Sequence, residues 1–194
     1  MNGAPLVLFI YSAFTINLVL QCALGIKGVV ESKNHFIVSS LVKLGLVFVS
    51  VILLWVFFSR IIFSLISGPL LYILIFPVSS MAYSGFEYII FRYLLKKDAK
   101  HESVIDFPGG ITAVSVFICV NISRNFFETA VLSFGFSSGI FLVNIIICEI
   151  RTRASLEAVP VFLRGKPLIL VTMGLLSLVF STASILFFRM MGAQ

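Results

Sequence analysis

The chain has 194 residues, of which 60% are hydrophobic and only 11% charged, with a formal net charge of +6; soluble domains carry about 25% charged residues. This excludes an ordinary soluble domain and predicts an all-α integral membrane protein, a single membrane domain over residues 1–194. The basic residues cluster between apolar runs, where they set topology, so nucleic-acid binding is set aside and the lipid bilayer is the expected surrounding.

The first apolar run, residues 5–24, follows an uncharged start that lacks the basic region of a signal peptide, so it is expected to be kept as a span. Gly25 and Gly28 interrupt its end, with Lys27 between them. The second span, 36–58, contains Lys43 and has Trp55 near its far end. The third, 69–95, contains Glu87 and Pro77, where a kink is expected. After a polar loop comes the fourth segment, 109–125, whose apolar part (111–122) falls short of the roughly 20 residues of a full span. Pro108, Gly109 and Gly110 break the backbone before it and Arg124 ends it. Such a segment reads either as a half-helix beside a site near the midplane or as a short span with frayed ends. The fifth span, 126–150, has Gly135 and Gly139 at GxxxG spacing, which lets helices approach closely, and Glu128 and Glu149 at its interfacial ends. A second polar loop, 151–166, leads into the sixth span, 167–188.

With the N-terminus outside, Lys27, Lys33, Arg92, Lys96, Lys97, Lys100, Arg151, Arg153, Arg164 and Lys166 fall inside, and Arg60, Arg124 and Arg189 outside. The asymmetry predicts six transmembrane helices with both termini outside, periplasmic in a bacterial inner membrane. Three spans precede the central loop and three follow it, so the halves have opposite orientation. This is a 3+3 inverted repeat, with repeat one at about 5–95, repeat two at about 108–191, and interrupted first and fourth helices. Pro69-Leu70-Leu71 and Phe91-Arg92 in span three echo Pro167-Leu168-Ile169 and Phe188-Arg189 in span six.

Cys22, Cys119 and Cys148 lie in apolar runs without CxxC spacing, so neither a disulfide framework nor a zinc site is expected. His35 and His101 fall in loops and form no metal-ligand spacing. No P-loop or GxGxxG is present, and no active site is complete within the chain. Lys43 and Glu87 are the charges within spans; such charges usually face a partner or a water-filled path, so both are candidates for an ion path, against snorkelling and interfacial contact.

The later half carries Asn125-Phe126, Gly139, Ile150-Arg151-Thr152-Arg153, Val159-Pro160-Val161-Phe162-Leu163-Arg164-Gly165 and Thr172-Met173-Gly174-Leu175-Leu176-Ser177-Leu178. This resembles the RnfA/NqrE family, membrane subunits of ion-translocating electron-transport complexes, which show NF, a glycine-containing helix, IRxR, VPxxxRG and TxGLMSL in that order. Asn17-Leu18-Val19-Leu20, Leu24-Gly25, Trp55 and Glu87 extend the resemblance collinearly. It implies a six-helix inverted repeat and pairing with a homologous protein of the RnfE/NqrD kind among other subunits of the complex. It also implies a 2Fe-2S cluster at the midplane, with cysteines given by both members of that pair. Lys27, after Leu24-Gly25-Ile26, and Thr112, before Ala113-Val114, occupy the family's ligand positions. Neither is a usual ligand, since these clusters are held by Cys thiolates. Cys22 and Cys119 are the alternative thiolates, both displaced about 7–10 Å along their helices toward the outer side.

The reading of the sequence is therefore a membrane subunit of an Rnf/Nqr-type oxidoreductase, taking part in electron transfer coupled to cation transport. The alternatives are a small stand-alone carrier or channel and a cluster-less structural subunit.

Overall fold

A computed structural model describes residues 4–22, 24, 36–62, 69–93, 107–156 and 165–190. Among these residues there are six α-helices and no strand. They are α1 (Ala4–Ile10), α2 (Phe36–Phe57), α3 (Pro69–Tyr93), α4 (Phe107–Ile122), α5 (Phe126–Leu156) and α6 (Lys166–Met190). α1 and α2 each run on into a π-helical turn, Tyr11–Thr15 and Phe58–Ile62. α5 and α6 are long and apolar enough to cross a membrane, and Pro5–Thr15, Leu44–Arg60 and Gly109–Ile122 are shorter apolar helices.

The core lies where α2, α4 and α5 meet. α2 packs along both α4 and α5, while α3 lies along α4. Val51 and Leu54 from α2, Ile75 from α3, Ile111 and Val116 from α4, and Leu132, Ile140 and Val143 from α5 are all buried there. α6 is peripheral and makes its main contact with the π turn after α1. Its outward residues include Leu170, Val171, Leu175, Leu178 and Val179, all exposed. An apolar outer surface is what a helix in contact with lipid needs.

Helix boundaries depart from the sequence reading in three places, each for a local reason. The first helix does not reach residue 24. It stops at Thr15, well before the glycines at 25 and 28, because Asn17 supplies backbone partners that end it. Pro108, Gly109 and Gly110 do not precede the fourth helix; they form its first turn. A proline is tolerated there because the N–H groups of a first turn have no intrahelical partner. The fifth helix continues past residue 150 to Leu156. No breaker follows Ile150, and Glu149 accepts a hydrogen bond from Arg153 Nε at 2.8 Å across one turn. α3 runs unbroken through Pro77, and the Ser79 hydroxyl beside it donates to the carbonyls of Ile75 and Phe76.

Candidate functional site

The broken first helix is the most unusual local structure in the described chain. Ala4–Thr15 spans about 18 Å at 1.5 Å per residue, well short of the roughly 30 Å hydrocarbon core. In its last turn Ile16 N–H donates to Tyr11 O at 2.9 Å, a five-residue π bond, and Ile16 then leaves the helical region at φ −106°, ψ 54°. Asn17 holds the break from both sides. Its Nδ2 donates back to Ala13 O at 3.1 Å, and its Oδ1 accepts from Val19 N–H and Leu20 N–H, each at 3.2 Å. Irregular backbone at membrane depth is tolerated only where the freed polar groups find such partners. A single buried amide thus replaces the helical ladder on both sides of the break. The sequence points to Asn17 only as part of the family-like run Asn17–Leu20 and gives it no part in a break; the signal for one is an amide, able to donate and accept, inside the apolar run Ile16–Leu20.

This half-helix sits on α5 through the two glycines. A Cβ on Gly139 would lie 2.6 Å from Ala13 O and 3.0 Å from Asn17 Nδ2, and one on Gly135 would lie 2.9 Å from Phe9 O. The GxxxG spacing therefore performs the close approach expected of it, and its partner is the broken helix. Phe134 extends the contact, stacking on Phe9 at 5.8 Å and meeting Phe48 of α2 edge-on at 6.3 Å. On the other side α6 holds the half-helix through Phe14–Phe180 at 5.2 Å and a hydrogen bond from Thr15 Oγ1 to Ser184 Oγ at 3.0 Å.

Beyond the break the chain turns toward α4. Gln21 N–H donates to Asn17 O at 2.8 Å and Leu24 N–H to Leu18 O at 3.1 Å. Leu24 reaches the first turn of α4, where its Cδ2 lies 3.9 Å from where a Cβ on Gly110 would be. The end of the interrupted first segment and the start of the short fourth helix are therefore neighbours.

Thr112 lies two residues beyond Gly110, is fully buried, and its side chain is already engaged by the surrounding protein. Lys27 lies outside the described residues. A threonine hydroxyl and a lysine amine do not fit a 2Fe-2S cluster, which takes thiolates. Cys22 is exposed, whereas Cys119 is buried with its Sγ 4.0 Å from Ser133 Oγ on α5. Cys148 on α5 is half-buried. Glu87 is half-buried on α3, the helix that lies along α4, and has a partner. Lys43 belongs to α2. No cluster of three or more His, Cys, Asp or Glu side chains able to hold a metal occurs among the described residues.

No protein-family model matches the chain. Curated relatives do match part of it, and they include RnfA proteins of the ion-translocating oxidoreductase complex from several bacteria. That of Pectobacterium atrosepticum is 34% identical over 65 residues, 34% of this chain and 34% of the relative. That of Buchnera aphidicola is 41% identical over 59 residues, 30% of each chain. That of Yersinia pseudotuberculosis is 41% identical over 61 residues, 31% of this chain and 32% of the relative. Over that stretch the chain is similar to RnfA proteins. The matched stretch spans about a third of the length of these relatives. The RnfA-like motifs now have local structural reasons. Asn125 starts α5 by accepting Thr129 N–H at 3.1 Å. Gly165, the end of the Arg-Gly pair, has φ 89°, which a side chain resists, and α6 starts directly after it.

Proposed function

We propose that this chain is a membrane subunit of an Rnf/Nqr-type ion-translocating oxidoreductase complex, seated beside a homologous six-helix protein of the RnfE/NqrD kind. The observation that carries the reading is the broken first helix, docked on Gly135 and Gly139 and ending against Gly110 of the short α4. Two short helices meeting inside an apolar bundle is the design of sites at the midplane of transport proteins. The relatives are subunits of an ion-translocating oxidoreductase complex, and this reading takes the complex and its activity from them. In this reading the chain forms two inverted repeats, residues 5–95 and 108–191, in the bacterial inner membrane with both termini outside. Its share of the work is scaffold and ion path, with Glu87 and Lys43 on the helices that flank the site. Positions 27 and 112 hold no cluster of their own. If the complex keeps an iron–sulfur centre in this chain, Cys22 and Cys119 are the thiolates left to bind it.

Co-expression with the nearest homologous six-helix protein tests the assignment. The expected result is a one-to-one pair that survives affinity purification and size exclusion in mild detergent. A chain that purifies alone, and transports an ion on its own in liposomes, overturns the assignment in favour of a small stand-alone carrier.

A further inference from the structure

α4 and α5 form an antiparallel hairpin closed by hydroxyl contacts. Next to the connecting turn, Thr129 Oγ1 donates to Ser123 Oγ at 2.7 Å, and Ser123 Oγ donates to Cys119 O at 2.5 Å. Further in, Cys119 Sγ lies 4.0 Å from Ser133 Oγ. Residues four apart on a helix share a face. One turn further inward on each helix are Ser115 of α4 and Ser137 of α5.

Both of these hydroxyls are buried and have no hydrogen-bond partner among the described residues. Ser115 as a whole is fully buried. Asn144 Nδ2, seven residues beyond Ser137, is likewise buried and unpartnered. Ser133, Ser137 and Asn144 lie within an arc of about 40° on α5 at 100° per residue. Buried polar groups almost always have partners, in protein or in ordered water. Here Ser137 and Asn144 fall on one face of α5, and Ser115 lies one turn from Cys119 on α4.

We propose that the seam between α4 and α5 holds a line of internal water, bridging Ser115 and Ser137 and reaching toward Asn144. Each hydroxyl can donate and accept, so a water between two of them finds the minimum of two polar partners it needs. One water spans two oxygens about 5.5 Å apart, since each O–H···O bond is about 2.7–2.8 Å. The occupant is neutral. The carboxylate near the seam, Glu128, lies at its outer end and accepts Arg124 N–H at 2.8 Å. Glu149, on the same helix, pairs with Arg153. Hydroxyls and an amide without a carboxylate suit water better than a cation, which takes more oxygen ligands and favours charged ones. The line would bring water to within one helical turn of Thr112. It does not depend on the proposed membership of a complex, because it rests on this chain's own side chains.

Radiolytic hydroxyl-radical footprinting of the full chain in nanodiscs tests it, with Cys119 as the reporter beside the line. With water in the seam, Cys119 is oxidised at a rate comparable to exposed Cys22 despite its burial. The paired substitution Ser115→Val and Ser137→Val then lowers that rate by about tenfold or more. A Cys119 as protected in the native chain as in that double variant overturns the proposal. Thermal stability gives a second readout, independent of the reporter. With a shared water, Ser115→Ala and Ser137→Ala each lower the melting temperature, and the double variant loses less than the two singles together. Two substitutions that each leave it unchanged or raise it, additively, mean a dry seam and overturn the proposal.

Discussion

Replacing Gly139 by alanine probes the docking of the broken helix with the smallest available change. The added methyl would meet Ala13 O at 2.6 Å, Asn17 Nδ2 at 3.0 Å and Ala13 Cα at 3.1 Å. Two of these are backbone atoms, and the third is held by its bond to Ala13 O. None can rotate away, so the half-helix must move off α5 as a body. Overpacking of a well-packed core costs about 1–3 kcal/mol, and backbone neighbours place this case in the upper half. At roughly 2–4 °C per kcal/mol for a chain of this size, the melting temperature falls by about 4–12 °C. The assay is thermal unfolding of the purified chain in detergent, followed by loss of the monodisperse peak. Gly174→Ala is the control, since a Cβ there meets no atom within 4 Å. It removes a helix-interior glycine, worth up to about 1 kcal/mol in favour of alanine. If Gly139→Ala melts together with Gly174→Ala, the close approach is not a constraint and the account of the GxxxG face fails.

Asn17→Ala removes three hydrogen bonds at the break and should cost about 2–4 kcal/mol in the same melting assay, at about 1 kcal/mol each. Thr15→Val and Ser184→Ala break the interhelical bond at 3.0 Å and should show a coupling of about 0.6 kcal/mol in a double-mutant cycle, the average for such bonds in a membrane. Glu149→Gln breaks an ion pair between two well-exposed side chains and should change stability by less than about 1 kcal/mol. An alkaline phosphatase fused after Gln194 should be active, because that enzyme works only outside the cytoplasm; an inactive fusion beside a fluorescent one at the same point would reverse the orientation.

The long apolar runs were legible because composition and length decide them. α2, α3 and α6 begin and end within two residues of the expected spans. The glycine face of α5 was legible as well, since GxxxG spacing has one geometric use. Its partner was not, because nothing in the spacing names the facing helix. The break at Ile16 and Asn17 was not legible, for a physical reason, while the interruption expected at Gly25 and Gly28 lies outside the described residues. Glycine and lysine at 25–28 look like the interruption, yet a helix also ends where a side chain offers its backbone better partners. Asn17 does this without any glycine or proline. The start of α4 was misread in the opposite sense, with Pro108 taken as a breaker where the first turn accommodates it. The unpartnered hydroxyls of Ser115 and Ser137 and the amide of Asn144 were invisible in sequence, because which polar groups lack partners shows only once the helices are packed.

In the proposed reading the end of the broken helix meets α4 as in an RnfA-like frame, and Lys27 and Thr112 stand where the resemblance puts the family's cysteine ligands. Restoring the thiolates tests this most directly. Lys27→Cys and Thr112→Cys, alone and together, would be co-expressed with the homologous six-helix protein, and iron and acid-labile sulfide measured after anaerobic purification. The account predicts that only the double variant gains about two irons per pair over the parent, the content of one 2Fe-2S cluster. An intact double-variant pair with no gain in iron would mean that the two positions do not meet. That result would contradict the account.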